Sequence, residues 1–105
     1  MLPDKGLGNL LIDYYGPLLT DHQIEVLNDY YKEDYSMAEI AENLNISKSA
    51  ASDLLKRSME QLNDYENKLH LLENADKLEK LIRLMKQDKL VKAEYIDKLE
   101  KISRG

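Results

Sequence analysis

Apolar side chains recur at helical spacing along most of this chain, and short polar residues divide them into segments. The clearest stretch runs from Ser36 to Arg57, SMAEIAENLNISKSAASDLLKR. Ser36 is an N-cap residue, and Glu39 three positions on completes a capping box. Met37, Ile40, Ala41 and Leu44 then follow the period of a helix with one buried face. Asn45 stands where the chain must turn, and asparagine tolerates the left-handed conformation of a tight turn. Ser47 is a second N-cap, and Ala51, Leu54 and Leu55 form the inner side of a second helix from Lys48. Small Ala41 and Ala51 fall where two steeply crossing helices approach closely. The pattern predicts a helix-turn-helix.

The flanking segments extend the same reading. MLPDKGLG carries few structure-forming signals and is expected to fray. Asn9 to Tyr15 reads as a helix ended by Gly16-Pro17. Thr20 and Gln23 form another capping box, and Ile24, Leu27, Tyr30 and Tyr31 give the next helix its stripe, to about Lys32. KEDY, Lys32 to Tyr35, links this helix to the helix-turn-helix. Beyond Arg57 the signals thin out, because neither Gly nor Pro occurs between Asn45 and Gly105. Leu55, Leu62 and Leu69, interleaved with Ser58, Tyr65 and Leu72, make a seam of 3.5-residue period. Asn74 is the expected cap of the following helix, whose stripe is Leu78, Leu81, Ile82 and Met85. Asp88 is a further N-cap candidate, before a final stripe of Val91, Tyr95, Leu99 and Ile102. The expectation is an all-α fold of about five helices, a domain over residues 1–73 and a C-terminal helical tail over residues 74–105.

Leu19 to Arg57 resembles region 4 of bacterial sigma factors, whose helix-turn-helix reads promoter DNA. With LLIDYYGPLLTDHQIEVLNDYYKEDYSMAEIA before the second helix and YENKLHLLE (Tyr65 to Glu73) after it, the chain resembles the small bacterial YlxM family. The likeness covers roughly Leu10 to Glu73. It implies a helix-turn-helix protein, and the family's genes lie beside those of the signal recognition particle. That neighbourhood makes a component of the particle, protein or RNA, the natural partner beside DNA. The chain departs from the usual pattern at Asn45, where Gly is common. Relatives also tend to carry a longer basic or amide side chain near Ser49 and an aromatic one near Ser52.

Composition narrows the function. The chain has 105 residues, 43% hydrophobic, 33% charged, with seven Tyr as its only aromatics and no Cys. A single α-helical protein follows, with no disulfide framework, thiolate metal site or cysteine nucleophile. No 18-residue apolar run occurs, so a soluble cytoplasmic protein without a membrane span is expected. The net charge of −5 argues against indiscriminate nucleic-acid binding. Seven acids against two bases fall in residues 1–35, so the acidity is concentrated away from the second helix of the motif.

Catalysis finds no foothold. His22 and His70 are the only imidazoles and neither has a motif partner; a packing or hydrogen-bonding role fits His70 better. No phosphate loop, zinc-protease or EF-hand spacing occurs, and no metal or cofactor is expected. Paired tyrosines follow the helix stripes rather than a basic groove, which marks them as core-edge residues. Acids alternate with the C-terminal lysines, which makes those faces solvated ones.

The outward residues of the second helix are the candidate nucleic-acid contacts: Lys48, Ser49, Ser52 and Asp53, with Lys56 and Arg57 one turn on. Lys48 suits guanine acceptors, the two serines discriminate little, and Asp53 repels phosphate unless it meets a cytosine amine. Leu62, Leu69, Leu72, Leu78, Leu81, Ile82 and Met85 are the candidate dimerisation residues, because their apolar area exceeds what a short N-terminal bundle covers. A homodimer, with DNA half-sites about 34 Å apart or a multiple of it, is the expectation, and the alternative is a monomer whose stripes fold back on one another as an antiparallel helical hairpin.

Overall fold

Each of the first four helices begins where a side-chain oxygen accepts from a first-turn backbone amide. In the computed structural model, which describes residues 2–104, there are six α-helices. They are α1 (Lys5–Tyr15), α2 (Asp21–Tyr31), α3 (Met37–Leu44), α4 (Lys48–Leu69), α5 (Leu71–Gln87) and α6 (Ala93–Arg104). A 3-10 turn, Gly16–Leu18 with Pro17 near its start, joins α1 to α2. The chain divides into two compact units, Met1–Leu69 and His70–Gly105.

In the first unit α4 packs against α1, α2 and α3. Its inner face, Ala51, Leu55, Ser58, Met59 and Leu62, is buried among Leu11, Ile12, Tyr15, Val26, Leu27, Tyr31 and Ile40. Ser58 donates to the Leu54 carbonyl at 2.7 Å, so its buried hydroxyl is satisfied within the helix. Leu62 is fully buried here, which removes it from the surface offered to another chain. Both predicted capping boxes form: Thr20 with Gln23 on α2, and Ser36 with Glu39 on α3.

The N-terminal helix starts earlier than expected. Asp4 Oδ1 accepts from the Leu7 amide at 2.9 Å, which caps the helix and begins it at Lys5 rather than Asn9. Gly8, which propensity would count against a helix, is needed there. A Cβ at position 8 would collide with the Tyr31 ring, so the missing side chain is what lets α1 and α2 meet. Tyr31 is buried and donates its hydroxyl to the Pro3 carbonyl at 2.9 Å. Tyr15 is fully buried, stacks on Tyr65 and donates to Glu66, while Tyr14 stays partly exposed. One member of each pair, Tyr15 and Tyr31, is therefore a core residue rather than a core-edge one, while Tyr14 and Tyr30 lie at the core edge.

The second break differs from the expected one. His70, in the left-handed region at φ 56°, ends the run of α4, and Asn74 lies inside α5, donating its amide to the His70 carbonyl at 2.9 Å. His70 is exposed, so it serves the joint rather than the core. Asp88 also plays another part: α6 begins at Ala93, and Asp88 instead accepts from the Leu90 amide at 2.9 Å in the connecting turn.

Within the second unit, Ile82 of α5 and Ile96 of α6 are buried, and Lys86 pairs with Glu100 at 2.8 Å. Ile96 takes the inner place that the predicted stripe gave to Tyr95, which is exposed, and Val91 precedes the helix. Of the candidate dimerisation residues, Ile82 is therefore internal and Leu72, Leu78 and Met85 are half-buried. Leu69 and Leu81 are exposed.

Two tests follow from Gly8 and Tyr31. Gly8→Ala gains up to about 1 kcal/mol of helix propensity but displaces a buried ring at about 1–3 kcal/mol. A net fall in Tm is expected by circular dichroism. Burial, with smaller contributions from Tyr30 and Asp4, pushes the Tyr31 phenol up from 10.0 to about 12. The fold favours the neutral phenol, so this stabilisation is present below pH 10 and lost as pH rises toward 12. Unfolding free energy measured across that window should fall, and Tyr31→Phe should flatten the dependence.

Candidate nucleic-acid interface

The turn of the helix-turn-helix is three residues, Asn45 to Ser47. Asn45 adopts φ 56° and ψ 46°, a left-handed conformation that asparagine tolerates better than most side chains. This lets the Ile46 amide return to the Ala41 carbonyl at 3.0 Å, six-to-one closure of a Schellman type. Ser47 Oγ then accepts from the Ala50 amide at 3.0 Å and starts α4. Ala41 and Ala51 are both buried. A second tie holds α2 to α3: the Asn43 amide donates to Asp29 at 2.8 Å, satisfying a buried carboxylate.

With Ala51 and Leu55 turned inward, the rotation of α4 sends the candidate residues outward. Lys48, Ser49, Asp53, Lys56 and Arg57 are exposed and Ser52 is half-buried, so all six belong to one face of the first three turns. Arg57 is engaged by Asp53 at 3.1 Å, an i,i+4 pair with side chains 75% and 58% exposed. A pair this exposed holds the guanidinium loosely, and phosphate can compete for it. A nearby acid escaped the sequence reading: Glu60 lines a shallow cleft of about 120 Å³ with Lys56, Leu2, Met59 and Asn63. Its signal was its i+4 spacing from Lys56. Two further acids, Glu39 and Glu42, are exposed on α3.

This face offers hydrogen-bond donors, two hydroxyls and three cations at the capped end of a helix. It offers no paired acid and base at a reacting centre. His22 is exposed in the first turn of α2, and His70 Nδ1 lies 3.0 Å from Glu73 at the start of α5. No helix among the described residues is long and apolar enough to cross a membrane.

Fold and turn together define an all-α helix-turn-helix protein. The chain belongs to the UPF0122 family, described as "Putative helix-turn-helix protein, YlxM / p13 like", which matches residues 5–102. The match therefore extends beyond Glu73, through α5 and nearly all of α6. A UPF0122 protein of Lactococcus lactis subsp. cremoris (strain MG1363) is 41% identical over 100 residues, 91% of this chain and 86% of its own. One of Clostridium perfringens (strain SM101 / Type A) is 51% identical over 69 residues, 66% and 62% of the two chains. Another, of Malacoplasma penetrans (strain HF-2), is 41% identical over 83 residues, 79% and 78%.

The turn supplies the next test. Asn45→Ala should destabilise the protein by about 1 kcal/mol, since alanine lacks the local hydrogen bonding that eases a left-handed residue. Asn45→Gly should leave Tm unchanged or higher. Equal losses for both would mean the Asn45 side chain, not its backbone, holds the turn.

Proposed function

We propose that this is a non-enzymatic, cytoplasmic DNA-binding regulatory protein that acts as a homodimer and takes part in the signal recognition particle pathway. One observation carries the DNA reading: Lys48, Ser49, Ser52, Lys56 and Arg57 share the exposed face of a helix whose N-terminus is capped just after a tight turn. That is where a helix-turn-helix presents side chains to base edges, with the next turn near phosphates. Lys48 is the donor for guanine O6 or N7, and Lys56 and Arg57 supply charge to the backbone. Asp53, on the same face beside Arg57, discriminates against most sequences. The pathway reading is supported by the resemblance to the YlxM family, whose genes neighbour those of the particle.

A second reading is favoured by charge. Residues 1–35 carry seven acids against two bases, and Glu39, Glu42 and Glu60 add acids around the motif. An acidic helical body of this kind suits a protein module that grips a component of the signal recognition particle without reading DNA.

Binding to a DNA site selected from a random pool, followed by anisotropy over a salt series, separates the two. Lys56→Ala with Arg57→Ala should weaken binding and reduce the salt slope by about two phosphate contacts, roughly 1.8 in log–log slope. Asp53→Asn should tighten it, because it removes a repulsive carboxylate and releases Arg57. An unchanged slope would place the phosphate contacts elsewhere. Failure to select any site at low salt, with a partner retained from lysate after nuclease treatment, would favour the protein module.

A further inference from the structure

Within the second unit, the described residues of α5 and α6 leave one apolar face partly exposed, and its chemistry bears on what covers it. α5 and α6 are joined by five residues, 88–92, and must run antiparallel: Lys86 pairs with Glu100, and Glu79, well back along α5, lines the same cleft as Glu100. At about 100° per residue, Leu78, Leu81 and Met85 lie to one rotational side of Ile82 on α5. Tyr95, Leu99 and Ile102 lie to the same rotational side of Ile96 on α6. Because the helices are antiparallel and face each other through Ile82 and Ile96, equal rotation carries both sets onto one face of the hairpin. Leu78, Met85 and Leu99 are half-buried there, while Leu81, Tyr95 and Ile102 are 52%, 51% and 72% exposed.

We propose that this face pairs with the same face of a second copy of the chain, closing a four-helix bundle. The inference rests on the homodimer reading above and names the surface that would make it. Two observations select a copy over another occupant. First, the described residues of the unit hold just two buried apolar side chains, Ile82 and Ile96. A segment below about 40 residues needs disulfides, metal or association to stand, and this chain has no cysteine. Pairing two faces would add six partly covered apolar side chains from each copy to the core.

Second, the rims suit a copy. The apolar face is bordered by Glu73 and Lys77 on α5, paired at 3.3 Å, and by Glu94 and Lys98 on α6. Acid and base stand one turn apart on both rims. Such a rim presents no single-sign field to a polyanion or to an acidic protein, but a copy meets opposite charges on it. Both two-fold arrangements open to stacked hairpins, α5 over α5 or α5 over α6, set antiparallel helices against each other, the usual geometry of up-down bundles.

Sedimentation equilibrium of the full chain decides it. Wild type should run near twice 12.2 kDa at micromolar concentration. Leu81→Asp should raise the dimer Kd about 100-fold or more, and Ile102→Ser about tenfold, with helical circular dichroism retained. Leu84→Asp is the control, since Leu84 is 63% exposed and falls on the rim, between Glu73 and Lys77 in rotation; it should raise Kd far less than Leu81→Asp. A wild type that stays monomeric at high micromolar concentration overturns the homodimer reading itself. A dimer indifferent to Leu81→Asp and Ile102→Ser, or equally sensitive to Leu84→Asp, overturns this face while leaving the dimer intact. Should Leu81→Asp lose helicity, Ile102→Ser decides, because a side chain 72% exposed is not needed to fold the hairpin.

Discussion

Burial of one side of α4 is the constraint on which the first unit depends. Three helices of 8 to 11 residues are each too short to persist alone in water. They become stable by covering the stripe Ala51, Leu55, Ser58, Met59 and Leu62 on a 22-residue helix. That single choice of inner face fixes the outer one. Once Ala51 and Leu55 point inward, Ser49, Asp53 and Lys56 have no direction but solvent. The same choice consumes Leu62, so an apolar seam that reads as continuous along the sequence is divided in the fold.

The joints between helices follow from another constraint. No glycine occurs between Gly16 and Gly105, yet three joints require positive φ. They are made by Asp34, Asn45 and His70, at φ 58°, 56° and 56°. Asp, Asn and His are the side chains that enter this region most readily, because short polar groups can bond locally. Asp34 is further held by Lys5, whose ammonium donates to its carboxylate at 2.6 Å and keeps that carboxyl below its ordinary value. Lys5 thereby ties the start of α1 to the linker that leads into the helix-turn-helix.

These joints also separate what the sequence made legible from what it hid. The capping boxes at Thr20 and Ser36 could be read because cap and partner lie three residues apart. Asn45 could be read because apolar periodicity stops on one side of it and a serine cap follows. His70 could not, since a lone histidine in an unbroken helical pattern carries no stop signal. Asn74, a better cap by propensity, was taken up inside α5. Gly8 misled in the opposite direction: its meaning lies in the Tyr31 ring, 23 positions away, and no local pattern records that contact. Tyr95 and Ile96 were exchanged for a related reason, because a stripe of adjacent apolar residues does not say which of two neighbours faces the other helix. On the α4 face the residue types were all legible, whereas the Asp53–Arg57 engagement and the nearness of Glu60 depended on the helix continuing unbroken.

Charge is divided unequally between the two units. The first unit holds thirteen acids and six bases, the second seven and nine. An acidic body lowers affinity for every nucleic acid alike, so a contact that survives must be concentrated at one face. That face carries three cations, and at about 0.9 per phosphate a single copy gains little counterion release. Two copies would present six, for a log–log salt slope of roughly −5. Under the proposed function, the α4 face and the hairpin would be connected by arithmetic: a surface that gains little from DNA once would gain about twice as much when presented twice. Dimerisation through the C-terminal hairpin would then set the strength of binding, and the few side chains near Asp53 its selectivity.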